Sequence, residues 1–260
     1  MDSLDDFTRF DFTHDGRLRP VYRKGGGPPV VVIHEMPGIT PEVAGFARKV
    51  AGRGFTVFMP SLFGRDGAEA SRGAFLAAFA QVCISRQFAL LAENRTGPVV
   101  DWLRALAREV HAEIGGRGVG VVGMCLTGNF ALTMALDQAV VAPVLAQPSL
   151  PIPLGARKKA AVHAPPEALE AVRRRHGEDG LKVIGLRFEG DGTCPRARFD
   201  ALEARLEGAF ERHDLPDSSA AHPDGKPHSV LTTELIDEAG EPTHEALERV
   251  LGYFEERLGD

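Results

Sequence analysis

Three side chains suited to nucleophilic chemistry follow one another along the chain in the order Cys125, Asp191, His228. Cys125 lies in GVGVVGMCLTG (residues 118–128), where apolar β-branched residues run into a thiol and small residues follow at once. Residues 119–124 read as a buried strand and 130–136 as a helix, so Cys125 falls where a strand turns sharply into a helix. Such a turn lifts a side chain clear of the backbone and aims the first helical amides at whatever reacts with it. Free cysteine is also among the most buried residue types, and this segment taken alone supports an inert core thiol equally well.

The other two residues give the thiol partners. A histidine can take the thiol proton and later activate water, while a carboxylate orients the ring. Asp191 follows a predicted strand (183–188) and opens the turn GDGTCP; it would also serve as an Asx-turn or helix cap. His228 sits in a loop before the last predicted helix, beside the apolar pair Val230–Leu231 that can pack it against a core. His222 adjoins Pro223-Asp224-Gly225, an exposed-turn pattern, and His213 and Asp200 are expected on the surface, in or just after a helix. Glu35, directly after a strand at 30–33, is a further candidate, because a carboxylate there is costly to desolvate and needs a partner. A structural salt bridge, for instance to Arg65, would also satisfy it. His34 is expected to be structural, since HE without HExxH is no zinc motif.

Those strand ends require a sheet. Residues 7–23 alternate weakly around Asp15-Gly16 and predict an edge hairpin. Strands are expected at 30–33, 55–59, 119–124, 140–146 and 183–188, with a short one near 218–221. Helices are expected at 41–52, with Thr40 as N-cap, and at 98–114, 130–136, 166–176, 196–212 and 243–258. Residues 61–96 predict two short helices over one face, and 148–153 an irregular loop. This alternation predicts an α/β fold, a mostly parallel central sheet flanked by helices on both faces, whose ligands bind at the carboxyl ends of the strands. No repeat or linker divides residues 1–260, so a single domain is expected.

Bulk properties narrow the partners. The 260 residues are 43% hydrophobic and 25% charged, enough apolar content for a large core. A formal net charge of -6 argues against nucleic acid and against an anionic membrane surface. The acidic start, MDSLDDFTRF, lacks the apolar stretch of a secretory signal. Three separated cysteines (83, 125 and 194) with no metal-ligand spacing fit a reduced, cytoplasmic protein with no metal and no cofactor. A monomer or homodimer is expected.

Together, VVIHEMPGIT, GVVGMCLTG, EGDGTCP and KPHSVLT resemble the dienelactone hydrolase family of α/β hydrolases, over most of the chain from residue 30 onward. The order nucleophile, acid, histidine is that of the α/β-hydrolase triad. The resemblance implies a hydrolase that cleaves a small ester or lactone, with Cys125 as nucleophile, His228 as base and Asp191 as its orienting acid. It matches Glu35 to the glutamate that holds the resting cysteine and helps form the thiolate. It matches the backbone N–H groups of Met36 and Leu126 to the oxyanion hole, in line with the rule of one amide after the nucleophile and one after an early strand. Two positions depart from the family pattern. Thr127 stands where the elbow usually has glycine. Thr232, four residues after His228, stands where dienelactone-cleaving members have an arginine that grips the substrate carboxylate; Arg86 is an alternative source of that contact.

Two other readings remain. Gly118, Gly120 and Gly123 spell GxGxxG with Asp137 downstream, the pattern of a dinucleotide-binding oxidoreductase, but the glycines interrupt the strand instead of following it. A catalytically silent or redox-sensing thiol protein on the same fold is the other.

Overall fold

Val30, Val31, Val32 and Ile33 form an unbroken apolar run, and every strand residue from Pro29 to Ile33 is buried. A strand with this composition needs apolar cover on both faces, the signature of a parallel sheet. A computed structural model describes residues 4–84, 97–149, 155 and 159–259. It contains one eight-stranded sheet in the order β1-β2-β4-β3-β5-β6-β7-β8. The strands are β1 (Thr8–His14), β2 (Arg17–Gly25), β3 (Pro29–Ile33), β4 (Thr56–Pro60), β5 (Val119–Met124), β6 (Val140–Ala146), β7 (Val183–Phe188) and β8 (Phe210–Leu215). β1, β2 and β4 pair antiparallel; the pairings from β4 to β8 through β3 are parallel. The mostly parallel α/β sheet expected from the alternation is present.

Each central strand divides its side chains between two cores. Val30 and Val32 of β3 and Val122 and Met124 of β5 pack with helices α1 (Pro41–Gly52) and the C-terminal helix. Val31, Ile33, Val119 and Val121 face the opposite way, against the long helix Pro98–Ile114 and the short one Gly128–Met134. Numbered in chain order, the helices are α1, α2 (Arg72–Ile84), α3 (Pro98–Ile114), α4 (Gly128–Met134), α5 (Pro166–Asp179), α6 (Arg196–Leu206) and α7 (Pro242–Leu258). Thr40 caps α1 through its side chain, accepting from the Val43 amide, and Asp15 and Gly16 take the positive φ values that close the β1–β2 hairpin.

The chain runs from β3 out to β4 on one side and returns to β5 on the other side of β3. The carboxyl ends of β3 and β5 therefore flank the point where strand order reverses, the usual ligand crevice of such sheets. Glu35 follows β3 and Cys125 follows β5.

Two expectations are corrected. The helix predicted over 196–212 stops at Leu206, because Glu207 adopts φ +52° and Phe210–Leu215 leave to pair with β7. His213 is accordingly on a strand, and the strand predicted near 218–221 is a short 3-10 turn at Asp217–Ser219. Of the two helices expected between 61 and 96, α2 is one; the second, together with Arg86 and the loop beyond Ser149, lies outside the described residues.

The GxGxxG glycines serve packing. A Cβ on Gly120 would sit 2.9 Å from the Phe254 ring of α7, and one on Gly123 would sit 2.1 Å from the Thr127 carbonyl. Asp137 pairs with Arg108 and Arg104 at the end of the α4 turn. Phe254 is fully buried over Gly120 and meets Phe55 edge-on at 5.9 Å. Phe254→Ala is expected to cost about 3–5 kcal/mol, read as a lower urea midpoint at unchanged slope.

Candidate active site

β5 ends with Met124 in extended backbone, and Cys125 then takes φ +56° before a 3-10 turn (Cys125–Thr127) leads into α4. A non-glycine residue in this left-handed region costs on the order of 1–3 kcal/mol and persists only where its surroundings enforce it. Here the enforcing group is Thr127. Its hydroxyl accepts from the Met124 amide at 2.8 Å and faces the Ile33 and Met124 carbonyls, both at 2.9 Å. The residue at the glycine position of the elbow is therefore the one that ties the elbow to the end of β3. The absence of a side chain at Gly123 lets the turn close over it.

The half-buried Cys125 faces His228. The ring's Nδ1 lies 2.6 Å from Asp191 Oδ2, and Asp191 is 4% exposed. The other carboxylate oxygen, Oδ1, accepts from the Thr193 amide and hydroxyl, each at 2.8 Å, and from the Cys194 amide at 3.0 Å. Asp191 thus makes the Asx-turn of GDGTCP with one oxygen and holds the histidine with the other. Burial opposes the charge on both partners. For His228, the nearby Cys125 and Asp191 outweigh burial and raise its pKa well above the ordinary value. For Asp191, the His228 ring and the turn amides lower it despite burial. The His228 side chain keeps 26% of its surface exposed, toward the cavity, while Val230 and Leu231 are buried and anchor its loop. His222 is exposed and bonds Glu234, His213 bonds Glu211, and Asp200 pairs with Arg212, so none of the three joins the cluster.

Glu35 is 5% exposed and lines the same cavity. Its described partners are neutral donors: Ser229 Oγ at 2.7 Å and Gln147 Nε2 at 3.2 Å on Oε2, and the Thr232 hydroxyl on Oε1. Thr232, the departure from the family's arginine, is thereby a direct partner of Glu35. Arg65 lines a separate groove with Tyr22 and Glu69. His228 is a side-chain partner of Cys125 in this structure.

The cavity measures about 620 Å³. Its floor carries Cys125, His228 and Glu35; Met36, Leu126, Phe75 and Phe79 supply apolar wall, and Lys226 stands at the exposed edge. Met36 and Leu126, whose amides were matched to an oxyanion hole, both line it. Cys194 is fully buried, and burial pushes its thiol up, which leaves it inert. Among the described residues no group of histidine, cysteine or carboxylate side chains is arranged to hold a metal, and no helix is long and apolar enough to cross a membrane.

Several residues of this site escaped sequence reasoning. Thr193 has a readable signal, two residues after an aspartate in a glycine turn. Gln147, at φ +39°, has none; its carboxamide spans the Glu35 carboxylate and the Val230 amide. Arg198, fully buried, donates to the Pro148 and Thr193 carbonyls and braces the Asp191 turn.

A parallel sheet with a positive-φ residue between β5 and the following helix, and a histidine–aspartate pair above it, defines an α/β-hydrolase fold. The profile of the dienelactone hydrolase family matches residues 20–165, more than half of the chain, and the chain belongs to that family. It is accordingly a hydrolase acting on carboxylic ester or lactone bonds. No curated protein sequence matches it. Among solved structures, a Klebsiella pneumoniae protein assigned as a dienelactone hydrolase superposes with TM-score 0.64 at 17% identity, covering 95% of this chain and 97% of that one. The dienelactone hydrolase of Anabaena variabilis gives 0.61 at 13% identity, with coverages of 97% and 99%. A cold-adapted esterase from an Arctic intertidal metagenomic library gives 0.58 at 18% identity, with 96% and 93%. At these identities the likeness is one of fold.

Replacing Thr127 by valine keeps its shape but strips partners from the buried Met124 amide and Ile33 carbonyl. Thr127→Val is expected to cost about 2 kcal/mol in urea unfolding, and Thr127→Ser to recover most of it.

Proposed function

We propose that this protein is a cysteine hydrolase that cleaves a small ester or lactone through a thioester intermediate, with no cofactor. The observation that carries the reading is the strained Cys125 facing an imidazole that Asp191 anchors and that both neighbours favour in its charged form.

The steps follow from the groups present. The Cys125 thiol gives its proton to His228, and the thiolate attacks the carbonyl carbon. The carbonyl electron pair moves onto oxygen, where the Met36 and Leu126 amides stabilise it. When the tetrahedral adduct collapses, the carbon–oxygen bond breaks, and the leaving alkoxide or enolate takes the proton from His228. The imidazole, neutral again, accepts a proton from water. The hydroxide displaces the thiolate from the thioester and releases the acid, and the thiolate recovers its proton from His228. Because thiolate is itself a good leaving group, the adduct partitions forward only when the alcohol leaves readily, so activated esters and enol lactones are favoured over amides. Glu35 joins the set as the glutamate that the family likeness assigns to holding the resting cysteine and helping to form the thiolate; it lines the same cavity, held by Ser229, Gln147 and Thr232. A cavity of this size with apolar walls suits a small molecule, and dienelactone itself is not favoured, with Thr232 in place of an arginine. A working thiolate also calls for a reducing compartment, which makes the cytoplasm the expected location.

A panel of activated aryl esters and enol lactones tests the reading: the wild type should turn over at least one, and Cys125→Ala none. Full activity in purified Cys125→Ala would sink it. Asp191→Asn keeps the oxygen that receives the three turn hydrogen bonds but turns an amide N–H₂ toward His228 Nδ1. We expect kcat to fall on the order of 10³–10⁴-fold while the thermal midpoint moves by only a few degrees; an unchanged kcat would remove Asp191 from the proposed triad.

A further inference from the structure

His34 is fully buried, adjoins the catalytic cluster in sequence, and has no part in the proton transfers above. Both its ring nitrogens are engaged by backbone. Leu62 donates its N–H to Nε2 at 3.0 Å, so Nε2 is the unprotonated nitrogen. Nδ1 therefore carries the hydrogen and donates it to the Glu35 carbonyl at 2.9 Å. The ring is further clamped edge-on by Phe63, 4.5 Å between centroids. Burial holds its pKa down at about 4, so this neutral tautomer persists throughout the working range.

The Glu35 carbonyl shares a planar peptide unit with the Met36 N–H, and in a planar unit the two bonds point in opposite directions. Holding the carbonyl toward the buried imidazole aims the Met36 N–H the other way, into the cavity that Met36 lines. The second amide is fixed by the same device. The Cys125 carbonyl accepts from the Ser149 amide at 3.0 Å, and this sets the plane that carries the Leu126 N–H. One peptide is held by backbone, the other by a side chain.

We propose that His34 is a positioning residue: as a neutral imidazole bridging the Leu62 amide and the Glu35 carbonyl, it orients the Glu35–Met36 peptide so that the Met36 N–H points at the reacting oxygen. The assignment rests on the cysteine-hydrolase reading, with Met36 and Leu126 as the two oxyanion donors.

Asparagine and glutamine separate the two halves of the bridge. The Asn side-chain nitrogen stands near the position of Nδ1 and can still donate to the Glu35 carbonyl. The Gln side-chain oxygen reaches the position of Nε2 and can still accept from Leu62, but leaves the carbonyl without its donor. Removing one oxyanion donor outright costs about 10²–10³ in rate, and misaiming one costs less. With an activated aryl ester, His34→Gln should lose roughly 10–100-fold in kcat with KM within about twofold, and His34→Asn should stay within roughly fivefold of wild type. A trifluoromethyl ketone, which the Cys125 thiolate converts to a tetrahedral adduct, should weaken in His34→Gln by the same factor as kcat/KM. Iodoacetamide alkylates Cys125 without using an oxyanion donor, so its rate should be equal in all three proteins.

Equal kcat in the Gln and Asn variants would overturn the assignment while leaving the cysteine-hydrolase reading intact. So would a loss in His34→Gln matched by slower alkylation, which would make His34 a prop for the elbow. A wild-type protein inert toward both ester and ketone would overturn the parent reading, and this inference with it.

Discussion

A single buried hydroxyl joins the two strand ends on which the site depends. Cys125 and the Glu35–Met36 peptide come from β5 and β3, which pair no further than Ile33 and Gly123. Beyond that register, backbone pairing no longer fixes the distance between them, and the Thr127 hydroxyl takes over. A glycine at this position would close the turn equally well and supply no such tie. The left-handed backbone at Cys125 is tolerable because the residue two positions on is bonded to both strands, so local strain is opposed by a contact of long sequence separation.

The acid–histidine pair is supported on the other side of the crevice by different means. Asp191 stands on a turn that secondary structure does not stabilise, and buried arginines compensate. Arg198 reaches the Thr193 and Pro148 carbonyls, and Arg187 reaches the Cys194 and Glu189 carbonyls while pairing with Asp214. Both guanidiniums donate to main-chain oxygens of the irregular loop, which satisfies carbonyls that no strand or helix would pair.

Much of this was legible in the residues. Apolar β-branched runs bounded by glycine and proline marked β3, β5, β6 and β7, because strands buried on both faces admit little else. The Thr40-Pro41-Glu42 start marked α1, and the Val230–Leu231 pair, which is buried, set the loop of His228 apart from the exposed turn of His222. Failures came where tertiary contact overrode local pattern. The helical spacing over 196–212 carried no sign that Phe210 would turn back to close β8 against β7. Gln147 and Thr232 gave no warning of their part around Glu35, because hydrogen bonds between residues more than 80 positions apart leave no periodic trace. Thr127 and Thr232 were both visible as departures from a pattern, and both turned out to be partners of the site.

The surroundings of Glu35 bear on how a reaction would finish. Ester cleavage creates an acid that ionises as it forms, beside a carboxylate whose described partners, Ser229, Gln147 and Thr232, are all uncharged. Of the described lining cations, His228 in its charged form is paired with Asp191, while Lys226 stands out at the exposed edge. The field along the cavity therefore slopes outward for an anion. A neutral ester enters without feeling it, and the newly charged product is driven away from the floor as soon as it forms.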